Sequence, residues 1–463
     1  MRQAFIVVLT IAIAAIRGGA SDRGVAFVHV NVVDVDEGSV RPDMSVVVKS
    51  QHIVRIGKSG HFKLPKNARI VDGNGKYLIP GLWDMHVHTI FGDWIPKNEK
   101  VTLALFVANG ITGVRDMGGD LDSLKRWRTE IADGTLLGPR MVISGPMLDG
   151  PTPRFPSSLP VSTPDDGRRA VADLKGRGAD FIKIQSLVPR DAYFAVAEEA
   201  KRLQIPFSGH VPNQVRAREA SDAGQRSMEH LIGVFEGSST VEEELLNGPK
   251  GPGRFVATYD ESRARGLIAI LARNHTWQVP TLVWERGQWL LDESDPENNP
   301  LRKYAPSAWK RTWKMFTADI LKDVDTDPLP VRRKFVQMEM EIVTAMQRAG
   351  VRFMAGTDTA AGVNVFPGFS LHHELALFVQ AGFTPLEALR TATKNPAEFL
   401  GLDHSGSIKR GKIADLVLLD ANPLDDILNT RKIQAVMLAG RYLSRADLDN
   451  LLKAAEKAAN DSQ

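Results

Sequence analysis

Cysteine is missing from all 463 residues of the sequence. This absence excludes disulfides, thiolate metal ligands and cysteine nucleophiles. Any bound metal must therefore be held by imidazole, by carboxylate or by a chemically modified side chain.

An excess of charge of one sign is also missing. Lys and Arg number 58 against 55 Asp and Glu, a net charge of +3, and no long basic run occurs. This balance argues against a nucleic-acid partner. The hydrophobic share of 43% is ordinary for a soluble globular protein, and the length allows one large core with a smaller satellite domain. A homo-oligomer is compatible with this composition.

Long apolar runs are scarce, and the one near the start is short. Arg2 precedes an apolar stretch over residues 4–16, and small residues follow at 18–21. This order predicts a signal peptide over residues 1–20 and a periplasmic or secreted protein. The stretch is shorter than the roughly 20 residues of a membrane span, so we expect no stable membrane insertion after cleavage. Arg17, beside the cleavage region, leaves an uncleaved membrane anchor as the alternative.

Short β-strand patterns occur at both ends of the chain. Residues 25–71 contain several alternating valine runs separated by turns, which predicts a small antiparallel sheet. Buried strands return at 415–419 and 435–438, and an amphipathic helix follows at 444–459. We expect residues 24–79 and 400–445 to pair as one β-sandwich, with residues 446–463 as a C-terminal helix and tail.

The middle of the chain, residues 80–399, alternates between apolar strands and amphipathic helices. Such alternation predicts an α/β fold with parallel strands and right-handed crossovers, here a (β/α)₈ TIM barrel inserted in the sandwich. The eight predicted strands are 82–88, 113–116, 141–144, 181–184, 206–210, 227–231, 278–283 and 353–356.

A long connection, residues 284–347, separates predicted strands seven and eight. Because it follows a strand, it lies at the C-terminal face of the barrel, which makes it a candidate lid or substrate wall. The alternative is an ordinary surface pair of helices that buries Trp289, Trp309 and Trp313.

Two histidines alternate near the end of the first barrel strand. His86 and His88 share one face of that strand, and two neutral imidazoles placed in this way make half of a divalent-metal site. His210, His230 and Asp358 end three other predicted strands, at the rim where barrels carry their chemistry. The alternative is that the two alternating histidines are unrelated.

Lys183 ends the fourth predicted strand. A free ammonium is costly inside a barrel beside metal cations, whereas a carbamate formed with CO₂ is an anion that can bridge two ions. The alternative for Lys183 is an ion pair with a nearby carboxylate.

Several motifs together resemble the amidohydrolase superfamily, and most closely its imidazolonepropionase-like and Xaa-Pro dipeptidase-like branch. The resemblance extends over most of residues 25–443. Its carriers are LIPGLWDMHVH at 78–88, NGITGVRD at 109–116, Lys183, GH at 209–210, EH at 229–230, AGTD at 355–358, TPLEAL at 384–389 and GSIKRGKIADL at 406–416.

The resemblance implies a metal-dependent hydrolase of carbon–nitrogen bonds in a small molecule. His86, His88 and Asp358 would hold one divalent ion, and His210 and His230 would hold the other. Carboxylated Lys183 and a hydroxide would bridge the two ions, which are expected to be zinc. Asp358 would take the proton from the attacking water and pass it to the leaving nitrogen.

The substrate stays open between a dipeptide, an N-acyl amino acid and a cyclic amide. Dipeptidase-like members use a tyrosine just after the strand-six ligand to hold the substrate carboxylate, and residues 231–236 here contain none. The same site would also serve a lactonase or esterase, a single-metal enzyme, or a catalytically silent metal-dependent binding protein.

Four further residues lie close to the predicted rim. Arg115 ends strand two and either binds a substrate carboxylate or, as we favour, forms an ion pair with Asp116 or another acid. His372, His373 and Glu374 follow strand eight and are candidates to line the mouth of the barrel.

Overall fold

The computed structural model describes residues 24–92, 94–96, 98–155, 157–293, 295–324 and 327–461, with the backbone alone for residues 319–324. The predicted signal peptide, residues 1–20, lies outside the described residues. Within the described ranges, no helix has the length and apolarity that crossing a bilayer requires.

The strands and helices alternate through the middle of the chain, as the sequence predicts. The strands are β1 (Val25–Asp34), β2 (Ser39–Lys49), β3 (His52–Lys58), β4 (Arg69–Asp72), β5 (Tyr77–Pro80), β6 (Leu82–Val87), β7 (Ile111–Asp116), β8 (Arg140–Ile143), β9 (Leu148–Asp149), β10 (Leu159–Pro160), β11 (Ile182–Ile184), β12 (Phe207–Gly209), β13 (Ser227–Glu229), β14 (Trp277–Val279), β15 (Leu416–Leu419), β16 (Ile433–Leu438) and β17 (Arg441–Ser444).

The α-helices are α1 (Glu99–Ala108), α2 (Leu121–Ala132), α3 (Pro164–Arg177), α4 (Arg190–Leu203), α5 (Ala217–Asp222), α6 (Val234–Gly237), α7 (Glu242–Asn247), α8 (Pro252–Thr258), α9 (Glu261–Arg273), α10 (Leu282–Trp289), α11 (Ser307–Val324), α12 (Leu329–Arg348), α13 (Phe369–Gln380), α14 (Pro385–Thr391), α15 (Lys394–Leu400) and α16 (Arg445–Asp461). Short 3₁₀ helices lie at Leu291–Glu293, Pro296–Asn298, Pro300–Tyr304 and Ile427–Arg431.

Strands from both ends of the chain form one sheet, which confirms the predicted pairing of the two ends. β5 pairs antiparallel with β15, and its other neighbour is β1. The antiparallel sheet predicted over residues 25–71 holds for β1 to β3 but is wrong for β4, which runs parallel to β1. β5, which follows that range, is also parallel to β1. After β3 the chain crosses back to the end of the sheet at which β1 begins. β4 and β5 therefore run in the same direction as β1.

The barrel consists of two parallel sheets, β6–β8 and β9–β14. The Asp180 amide donates to the Ile143 carbonyl at 2.8 Å and joins the sheets on one side. On the other side, Met354 N donates to Gln278 O at 3.0 Å and Met85 N donates to Ala355 O at 2.9 Å. These contacts close the predicted (β/α)₈ barrel.

Two strand predictions at this closure need correction. Residues 353–356 form no regular strand and are held by isolated hydrogen bonds to both neighbours. The strand predicted over 278–283 ends at Val279, because Thr281 adopts a left-handed φ of 49° and starts α10. Both deviations bring irregular backbone to the rim of the barrel.

The helix α3 shows why the helices lie where the sequence places them. Thr163 and Asp166 form a reciprocal capping box at its start, and Gly178 ends it with a φ of 92°. Val171 and Leu174 are its buried apolar residues and belong to the main core. Local signals of this kind determine where a helix outside the barrel begins and ends.

Candidate metal centre

Three predicted ligands meet at the C-terminal rim of the barrel. His88 Nε2 lies 3.2 Å from Asp358 Oδ1, and His86 Nε2 lies 3.5 Å from the same oxygen. One ligand atom from each residue lies within 4.8 Å of the other two. All three side chains are buried, which is the arrangement of donor atoms that a divalent ion needs.

His210 and His230 lie on the other side of His86. The His230 ring centroid is 4.6 Å from that of His86 and 5.0 Å from that of His210. His210 follows β12 and His230 follows β13, so neighbouring parallel strands deliver both rings to the rim. The four predicted histidines therefore form a continuous cluster.

Each of these histidines uses its Nδ1 atom in a hydrogen bond, which leaves Nε2 as the nitrogen for a metal. Fixed imidazoles of this kind are typical of metal sites, because the outer partner orients the ring. His86 bonds to Glu229 Oε2 at 2.9 Å, and His88 bonds to Gly118 O at 3.0 Å. His210 bonds to Ser186 Oγ at 2.7 Å, and His230 bonds to Thr281 Oγ1 at 2.7 Å.

Lys183 lies on β11 close to His86 and His210 and is fully buried. Burial lowers the pKa of its amine to about 8, against the pull of the Glu229 and Asp358 charges. Gly209 gives the side chain room, because a Cβ at that position would lie 2.9 Å from the Lys183 Cδ. The alternative of a direct ion pair with a carboxylate is not observed for Lys183 among the described residues.

Several buried polar atoms of this cluster lack a partner. Among the described residues, His86 Nε2, Lys183 Nζ and Asp358 Oδ1 are buried and have no hydrogen-bond partner. Buried polar groups are normally paired, and an ion is one of the explanations for a cluster of exceptions. Burial also lowers the pKa of His86, His210 and His230, which favours the neutral imidazoles that bind metals. The residues present fit a divalent cation.

Glu229 is a site residue that the sequence reasoning missed. It is fully buried, and besides contacting His86 it accepts hydrogen bonds from Arg115 Nη2 at 3.0 and 3.1 Å. Arg115 thus forms the favoured ion pair with an acid, whereas Asp116 accepts from the Thr89 amide at 2.9 Å. Its position directly before the predicted ligand His230 is the sequence feature that indicates Glu229 as a site residue.

Asp84 links the first barrel strand to the segment that carries Asp358. Its carboxylate accepts from the Thr357 amide at 3.1 Å and from the Thr357 hydroxyl at 2.7 Å. Burial raises the pKa of Asp84 to about 7. Asp358 itself has a left-handed φ of 57°, so these bonds help to hold an unusual backbone turn at the ligand.

Aromatic side chains flank the histidine cluster on two sides. The Phe91 ring centroid lies 4.9 Å from that of His88, and the Trp284 centroid lies 5.2 Å from that of His230. The insertion packs over this region, and Trp313 Nε1 donates to Ala360 O at 3.1 Å, two residues after Asp358. Trp309 and Trp313 of α11 are therefore buried beside the loops of the rim.

The three residues after strand eight are placed differently from one another. His372 faces away from the mouth, because its ring bonds to Thr430 Oγ1 at 3.0 Å and to the Asn109 carbonyl at 3.1 Å. Glu374 accepts from the Leu282 and Val283 amides at 3.0 and 2.7 Å, at the start of α10. His373 lies on the outer side of the helix layer, in a surface groove. The expectation that His372 lines the mouth is wrong.

Comparisons with known proteins agree with this fold. Ochratoxinase from Aspergillus niger is 25% identical over 417 residues, covering 78% of this chain and 73% of that protein. Imidazolonepropionase from Pseudomonas entomophila (strain L48) is 24% identical and covers 84% of this chain and 91% of that protein. The solved structure of bottromycin amidohydrolase superposes with a TM-score of 0.73 at 25% identity, covering 94% and 91% of the two chains.

The family model described as "Amidohydrolase family" matches residues 77–443. That span includes the whole barrel and the strand β15 that pairs with β5. The superfamily and enzyme class predicted from the motifs are thereby confirmed. The chain belongs to the amidohydrolase family and is a hydrolase of carbon–nitrogen bonds.

Proposed function

We propose that this protein hydrolyses an amide bond of a small molecule at a centre of two divalent metal ions, with zinc as the expected metal. One observation carries the proposal: His86 Nε2, Lys183 Nζ and Asp358 Oδ1 are buried together and unpaired among the described residues. In a folded protein such atoms need a partner. A cation satisfies the imidazole nitrogen and the carboxylate oxygen at once, and it would also pair with Lys183 once that lysine is carboxylated.

The ligands divide into two groups by position. His86, His88 and Asp358 would hold one ion, and their close approach supports this assignment. His210 and His230 would hold the second ion, with ring centroids 5.0 Å apart.

Lys183 would join the two ions as a carbamate. The Lys183 ammonium would first lose one proton, and the free amine nitrogen would then bond to the carbon of CO₂ and lose a second proton. The cation would thereby become an anion, with both protons released to water. The Lys183 Nζ has no hydrogen-bond partner among the described residues, so no contact has to break. An anion here would offset the charge of the metals, whereas an ammonium would oppose it.

The bound metals would supply a water of lowered pKa and would polarise the substrate carbonyl. Asp358 would accept the proton from that water at its carboxylate and pass it to the departing nitrogen. Glu229 would hold His86 through Nδ1, and Arg115 would fix Glu229 in turn. The buried walls would exclude bulk water from this exchange.

The substrate class that fits best is an N-acyl amino acid, a dipeptide or a cyclic amide with an apolar part. Phe91 and Trp284 flank the ligand histidines and would contact that apolar part. Residues 231–236 offer no tyrosine for a substrate carboxylate, so this stretch gives no specific support for a dipeptide. The related proteins named ochratoxinase and imidazolonepropionase are compatible with an amide substrate.

We also propose that residues 1–20 act as a signal peptide and deliver the enzyme to the periplasm or the medium. The N-terminal residue of the mature protein, read from a secreted or periplasmic fraction by mass spectrometry, tests this proposal. An intact Met1 in the membrane fraction would support the uncleaved anchor instead.

The experiment that tests the function combines metal counting with a matched substrate pair. The protein is loaded with zinc in the presence of bicarbonate, and turnover is measured on N-benzoylglycine and on its ester counterpart, O-benzoylglycolate. We expect about two ions per chain and amide turnover that chelation abolishes and zinc restores. Turnover of the ester alone would favour the lactonase or esterase alternative. Full metal loading without turnover of either compound would contradict the proposal for this substrate class.

A further inference from the structure

A surface groove lies outside the barrel, between α10, α13 and the 3₁₀ helix Ile427–Arg431. Its volume is about 560 Å³, which lies within the range of about 300–1,000 Å³ typical of small-molecule pockets. None of the proposed metal ligands lines it. The lining residues that matter here are Arg286, Leu290, Glu293, His373, Leu428 and Arg431.

The groove carries positive charge that the described protein does not neutralise. Arg286 and Arg431 are exposed, and neither guanidinium forms a hydrogen bond or ion pair within the described part of the chain. Glu293 is the acidic residue of the described lining, and it is already paired with Arg333. Arginine forms bidentate hydrogen bonds with carboxylates and phosphates, so two unpaired arginines indicate an anionic ligand.

The same groove has an apolar floor. Leu428 is 39% exposed, one of the few large hydrophobic side chains with this much exposure in the described residues. Val283, Leu290 and Leu377 also line the groove. An apolar surface beside unpaired positive charge matches a ligand with an apolar body and an anionic end.

The groove is separate from the metal centre. Both sites contact α10, but through different residues: Trp284 faces His230, whereas Arg286 lines the groove. Glu374 caps the start of α10 and lies in the layer between them. A molecule in the groove therefore contacts none of the proposed ligands.

We propose that this groove is a second binding site, for an organic anion with a short apolar body. Arg286 and Arg431 bind the anionic group, a carboxylate or a phosphate ester, and Leu428 covers the apolar body. The site is independent of the proposed reaction, since it uses none of the residues assigned to it.

Calorimetric titration of the zinc-loaded enzyme with octanoate, octyl phosphate and octanamide tests the proposal. We expect at least one of the two anions to bind and the neutral amide to bind at least tenfold more weakly, because it lacks the charge. The stronger of the two anions identifies the group that the arginines recognise. If neither anion binds at millimolar concentration, or if octanamide binds equally well, the proposal is overturned.

Variants locate the binding. R286Q/R431Q should weaken it at least tenfold, and L428E, which adds a carboxylate to the apolar floor, should do the same. R348Q removes an exposed arginine at the end of α12, outside the groove, and should leave the affinity unchanged. K183A alters the metal centre and should also keep the binding. If K183A lost anion binding while R286Q/R431Q kept it, the anion would bind at the metal centre, and the proposal would be overturned.

Discussion

Arg115 and Glu229 form an ion pair of 3.0 Å that is completely buried inside the barrel. Desolvation makes such a pair costly to build, and removing one partner leaves a buried charge without compensation. Since Glu229 also holds His86 at 2.9 Å, this pair connects the stability of the barrel to the orientation of a proposed metal ligand.

Glu229→Gln should therefore reduce both stability and metal binding. We expect the free energy of unfolding to fall by about 3–5 kcal/mol, because Arg115 loses its counter-charge. Zinc affinity should fall about 10–100-fold, because His86 loses its charged partner. Urea denaturation and competition with a chelator measure the two effects.

A matched control for this prediction is Glu198→Gln. Glu198 pairs with Arg168 at 3.4 Å, but its side chain is 74% exposed, so the change should cost less than about 1 kcal/mol. Equal stability of the Glu229 and Glu198 variants would contradict the role assigned to the buried pair.

Asp358→Asn should keep metal but lose turnover. The amide oxygen can still bind a cation, but an amide accepts no proton from water, and we expect kcat to fall about 10²–10⁴-fold. Metal content by mass spectrometry and kcat on N-benzoylglycine measure the separation. Asp173→Asn, at a side chain that is 56% exposed on α3, serves as the control and should retain full activity.

Lys183→Ala should lower the metal content to about one ion per chain or fewer, because the bridging anion is lost. Metal counting with and without bicarbonate measures this loss. Lys201→Ala, at an exposed position at the end of α4, should keep both ions. Two ions and full turnover in Lys183→Ala would show that the lysine is structural.

Trp313→Ala should destabilise the insertion over the rim. Trp313 is 1% exposed, packs on Phe366 and bonds to the carbonyl of Ala360. We expect a loss of about 3–5 kcal/mol in the unfolding free energy. Met315→Ala on the same helix, at 41% exposure, should cost less than about 0.5 kcal/mol. If thermal or urea unfolding gave similar losses for both, α11 would not be anchored through Trp313.

The regular parts of the fold follow from local signals. Helix α3 begins at a capping box and ends at Gly178, and both signals are formed by residues close together in the chain. The alternation of strands and helices likewise identified the barrel. These features depend on residues that are neighbours in the chain, and a sequence displays such residues directly.

The parts that the sequence did not reveal depend on distant contacts. Residues 353–356 lack a regular ladder and are held by Gln278 and Met85, far away in the chain. Glu229 and His230 are adjacent and would point to opposite faces of a regular strand. His230 has a φ of 61°, however, so the alternation ends there and both side chains contact the site. No periodicity predicts such a turn.

The position of β5 between β1 and β15 has a consequence for biosynthesis. A ribosome delivers β5 early and β15 late, so β5 stays an open edge until nearly the whole polypeptide has been made. β6 and its histidines follow β5 directly. The sheet next to the first barrel strand is therefore completed only when the last strands arrive, and contacts so distant in sequence are formed slowly.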